Sequence, residues 1–130
     1  MITSADARLV GLAAGATVLA STAWYTAFGR RLARYSDAYA GDASPPGWVL
    51  PVELVRSSAV AAAVAVLADR TGARGPAATA RLALGLWAAF PFVLLTGSVV
   101  HEKVPWQLAA LHGGDWLVKL LLVASIVGRR

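Results

Sequence analysis

Apolar residues run along this chain in four long stretches separated by short polar ones, at residues 7–28, 48–68, 82–100 and 106–128. A hydrocarbon core about 30 Å thick takes about 20 apolar helical residues per crossing, and each stretch comes close to that. The pattern predicts an all-α integral membrane bundle of four transmembrane helices joined by short loops, a single transmembrane domain over residues 1–130.

The polar interruptions carry helix breakers. Residues 29–47 read "GRRLARYSDAYAGDASPPG", whose first half suits a short interfacial helix with Arg30, Arg31 and Arg34 toward phosphates and Leu32, Tyr35 and Tyr39 dipping inward. "SPPG" then forces a turn. Residues 69–81 form a second polar connection with Gly72, Gly75 and Pro76. Pro91 falls inside the third stretch, where its missing N–H leaves the Trp87 carbonyl unbonded and predicts a kink. "HEKVP" is short enough to make the last two spans an antiparallel hairpin. Gly11 and Gly15 form a G-x-x-x-G frame expected to pack closely on another helix of the bundle. Trp24, Tyr25, Trp48 and Trp106 flank the stretches as expected interface anchors.

Composition agrees: 58% of residues are apolar, above the ordinary soluble range of about 45–50%. A net charge of +5 invites nucleic acid, but the basic residues sit in loops and tails beside apolar spans, so headgroups are the expected partner and nucleic acid is not. Ser21-Thr22-Ala23 resembles a signal cleavage site, yet Asp6 weakens the required positive n-region, so the first stretch is expected to remain a span. Counting Lys and Arg by side gives six against four, favouring termini on the cytoplasmic side. There are no cysteines, which excludes disulfides and thiolate chemistry.

The last stretch nevertheless carries Asp115 and Lys119 one helical turn apart. From Trp106, a rise of about 1.5 Å per residue puts Asp115 about 14 Å deep, close to the bilayer centre. Insertion scales charge roughly 2.5–3.5 kcal/mol for each such residue, so both must be paired or turned inward. Glu53 and Arg56 make a shallower couple, for which an ion pair is the plainer expectation. Facing Asp115 and Lys119, the four would instead make a polar pocket or proton path. For Asp115 itself a functional role and a structural lock have equal claim. His101 and His112 flank the third loop, where headgroup contact is the plainer reading than a relay or a metal. Gly113-Gly114 admits a helix interrupted before Asp115, with the carboxylate capping the new end.

No nucleophile elbow, phosphate loop or zinc-binding helix motif is present, so no enzyme, cofactor or metal is expected. The expectation is an accessory or structural subunit of a larger membrane complex or oligomer. The alternative is a homodimeric small-molecule or proton-coupled transporter with its polar site around Asp115.

"LASTAWYTAFGRRLAR" and the closing half from "LALGLWAAF" onward resemble an uncharacterised bacterial membrane family, domain of unknown function 1761. Trp24, Tyr25, Gly29, Gly114 and Trp116 carry the likeness. The resemblance implies a four-helix membrane protein with no assigned activity. The family pattern has an asparagine and an aromatic residue where this chain has His112 and Asp115, which implies that the Asp115–Lys119 pair is a local compensation.

Overall fold

The computed structural model describes residues 3–39 and 46–129. Its first helix, α1 (Ser4–Ala33), opens on a capping box. Thr3 Oγ1 accepts from the Asp6 N–H at 3.2 Å, and the Asp6 carboxylate accepts from the Thr3 N–H at 2.8 Å. Donors that the first turn would leave orphaned are thereby satisfied.

At its other end α1 continues past residue 28. No proline interrupts residues 29–33, and burial of Leu32 offsets the roughly 1 kcal/mol that Gly29 costs a helix. Arg30 and Arg31 are therefore exposed residues of the last turn of α1, and only a 3₁₀ turn at Asp37–Tyr39 follows, in place of the expected interfacial helix. Ser44 and Pro45 of the expected turn lie outside the described residues.

The second helix, α2 (Val49–Thr71), stops at Gly72, whose φ of +70° lets the Ala73 N–H close back on the Ala68 carbonyl at 2.8 Å. The second connection is shorter than the polarity of residues 69–81 suggested. The next helix, α3 (Gly75–Ala89), starts with a proline in its first turn, where no hydrogen bond is lost.

At Phe90, with φ −116° and ψ −74°, α3 gives way to α4 (Pro91–His101), and the two form one crossing broken where Pro91 predicts. After a turn in which Lys103 takes φ +59°, the last helix, α5 (Trp106–Val127), returns antiparallel to α4. It passes through Gly113 and Gly114 without interruption, so Asp115 caps no internal helix end.

Four helical segments, 6–33, 49–71, 75–101 and 106–127, are long and apolar enough to cross a membrane. The central one is α5, which contacts every other helix. Toward the end where α1 begins, small residues make a tight core: Ala13, Ala61, Val64, Ala65, Val123 and Ala124 are at most 1% exposed. Outward, Leu50, Val55, Phe92 and Leu94 lie open, an arrangement that suits lipid and that water would penalise.

Gly11 and Gly15 correct an expectation. A Cβ at either position meets nothing within 4 Å, so among the described residues no helix packs closely on the frame. The packed face of α1 runs instead through Ala13, Ala14 and Thr17. Close approach occurs at Gly128, where a Cβ would lie 2.8 Å from Pro76 Cα at the start of α3.

Candidate functional site

Asp115 is 2% exposed and is the hub of a polar cluster between α1 and α5. Lys119, a turn further along α5, places Nζ 3.1 Å from Oδ2 and 4.9 Å from the Trp116 ring centroid. From α1, Ser21 donates to Oδ1 at 2.6 Å and the Tyr25 hydroxyl donates to Oδ2 at 3.4 Å. The carboxylate is thus matched by one cation and two hydroxyls, as a buried charge requires. Helical spacing explains the match, because Ser21 and Tyr25 lie on one face of α1 and His112, Asp115 and Lys119 on one face of α5.

The cluster continues toward the α4–α5 turn. Tyr25 Oη and His112 Nδ1 are hydrogen-bonded at 2.7 Å. A phenol has one proton, so the tautomer of His112 decides whether Tyr25 donates to the imidazole or to Asp115. Tyr39 reaches back from the 3₁₀ turn to stack on Tyr25 with centroids 6.1 Å apart, and it lies 6.2 Å from His112. Burial, then the charge of Asp115, raises the Tyr39 phenol above its ordinary pKa. Half-buried, His112 is therefore a member of this network.

Two indoles grip α5 beside the hub. Trp24 Nε1 donates to the Leu111 carbonyl at 3.0 Å, and Trp87 Nε1 donates to the Gly113 carbonyl at 2.9 Å. Gly114 makes the first contact possible: a Cβ there would sit 2.7 Å from Trp24 Cζ2. Trp24 and Tyr25 therefore fasten α1 to α5. Trp48 and Trp106 stand at helix starts, 67% and 65% exposed.

Glu53 and Arg56 form the expected ion pair on α2, the Arg56 side chain 56% exposed. They border the same crevice as Lys119 and Trp116, while Asp115 lies behind Lys119, outside the lining. That crevice has room for about one water. His101 is exposed at the end of α4, away from the hub. Among the described residues no side chains group as a metal would need, and no buried polar side-chain atom lacks a partner.

Ser21, Trp87 and Tyr39 join the site without having been singled out for it. The spacing of Ser21, Trp24 and Tyr25 on α1 was the available signal for part of the cluster. Nothing local marks Trp87 or Tyr39, which enter through the packing of α3 and the return of the first loop.

The family described as "Protein of unknown function (DUF1761)" matches residues 9–128, nearly the whole chain. No curated protein and no solved structure matches it.

Proposed function

The chain belongs to the DUF1761 family, and from that premise we propose that it is a small multi-pass subunit that serves structurally within a larger membrane complex or oligomer. One observation carries this reading: the buried charge is matched inside the bundle, and the space beside it admits about one water. Hydroxyls of α1 bonded to a charge on α5 fasten those two helices together. Open apolar faces on α2 and α4 supply area for a partner. The Lys and Arg bias further favours cytoplasmic termini in a bacterial inner membrane.

Native mass spectrometry after gentle extraction from the source membrane tests the proposal. The expected result is a second, different subunit at fixed stoichiometry. A bare chain with no protein partner overturns it.

The Tyr25–His112 contact favours a second reading, a homodimeric transporter that moves a small molecule or a proton past Asp115. That reading requires Asp115→Asn to abolish flux in liposomes while the protein still accumulates. Unchanged flux removes it.

A further inference from the structure

A groove runs between α4 and α5, and it begins with what α5 lacks. Ala109, Ala110 and Gly113 recur at helical spacing along the face that lines it, leaving a floor with no side chain beyond a methyl. Phe92, Leu95 and Val99 form the facing wall on α4, offset from α3 by the break at Phe90. Between them lies a space of about 440 Å³, open along one side. The walls close at the inner end, where a Cβ on Gly113 would already touch Leu95 Cδ1 at 3.4 Å.

The groove offers little to a polar ligand. Trp87 directs its N–H to Gly113, and Thr96 directs its hydroxyl to the Phe92 carbonyl at 2.7 Å. Its length is informative. From Trp106 at the mouth to Gly113 at the inner end, seven residues rise about 10 Å, most of one leaflet of a hydrocarbon core about 30 Å thick. Lys103 lies outside the groove's lining, but it stands on the turn joining the two walls and sets Nζ 2.9 Å from the Val100 carbonyl, one residue from the wall at Val99. Glu102 precedes it on the turn, and His101 ends α4.

We propose that this groove holds an acyl chain of one anionic phospholipid, whose phosphate meets Lys103. An apolar channel about 10 Å long with small residues on its floor takes the upper part of a hydrocarbon chain, and a cation on the adjoining turn favours an anionic head. The groove shares Trp87, Gly113 and Gly114 with the packing beside Asp115 but none of that cluster's charges or hydroxyls, and the proposal stands whether the protein is a subunit or a transporter.

The test uses the full chain in nanodiscs of mixed phosphatidylglycerol and phosphatidylcholine, released into the gas phase to count retained lipids. One phosphatidylglycerol per chain is expected. Ala110→Trp, which fills the floor from an exposed position, should lower retention at least fivefold, whereas Val55→Trp on the open face of α2 should not. Lys103→Gln leaves the groove intact and should erase the preference for phosphatidylglycerol, so the proposal stays testable if Ala110→Trp fails to fold. Retention indifferent to both groove changes overturns it. So does a lipid-free dimer that Ala110→Trp dissociates, which would make a second copy the occupant.

Discussion

Ser21 donates a 2.6 Å hydrogen bond to Asp115 across 94 positions of sequence, tying the first transmembrane helix to the last. A hydrogen bond to a charged acceptor contributes about 1.5–3 kcal/mol. Ser21→Ala should therefore destabilise the protein by about 2 kcal/mol, read as a lower unfolding temperature in detergent. An unchanged transition would mean that the bond adds nothing to stability.

Lys119 lies 3.1 Å from Asp115, and its side chain is 12% exposed. Asp115→Asn leaves that ammonium unpaired in the bundle, and losing one partner of a buried pair costs about 3–5 kcal/mol. Replacing both residues by leucine removes both desolvation costs, and Ser21 can turn to a carbonyl of its own helix as Thr22 does. The double variant should therefore melt above Asp115→Asn. A double variant that melts lower would show that Asp115 holds the fold by more than charge matching.

The glycines should separate into two groups. A methyl at Gly128 would meet backbone, at 2.6 Å from the Ala124 oxygen and 2.8 Å from Pro76 Cα, so Gly128→Ala should lower the unfolding temperature. At Gly11 and Gly15 a methyl meets nothing within 4 Å, and each alanine should stabilise α1 by about 0.5–1 kcal/mol. Gly114→Ala falls between, because the clashing atom belongs to the Trp24 side chain, whose indole is held by Leu111. Unfolding temperatures of the four alanine variants in one detergent decide the order.

Tyr39 gives the fold an alkaline limit. Its phenol pKa is higher when folded than when unfolded, through burial first and Asp115 second. The folded form holds that proton more tightly. The contribution is therefore whole below about pH 10, the unfolded value, and is lost as pH rises through the folded one. Tyr39→Phe should flatten the fall of unfolding temperature across the alkaline range. Superimposable curves for the two proteins would mean that Tyr39 does not couple to folding.

Pro91→Ala should let residue 91 donate to the Trp87 carbonyl and join α3 and α4 into one helix. A spin-label distance between Ala77 and Val100 should lengthen by a few ångström. No change would mean that packing, not the proline, bends the crossing.

Much of this architecture was legible because a bilayer demands long apolar runs, and such runs show in one dimension. The four spans and the Pro91 break followed from apolar run length and from the missing amide. The Asp115–Lys119 pair followed from helical spacing alone. The cap at Thr3 and Asp6 and the continuation of α1 to Ala33 were less visible, since helix ends depend on hydrogen bonds and on what Leu32 finds to pack against.

The site divides in the same way. Sequence by itself determined that an acid and a base share a face deep in the last helix, because both lie in one element whose periodicity is known. Tertiary structure alone decided that Ser21 and Tyr25 complete that charge and that Tyr39 returns over His112. It also decided that Gly114, and neither Gly11 nor Gly15, is where a neighbouring side chain comes close. These are relations between helices, fixed by which faces meet, and small apolar residues look alike along a chain until a neighbour is packed against them.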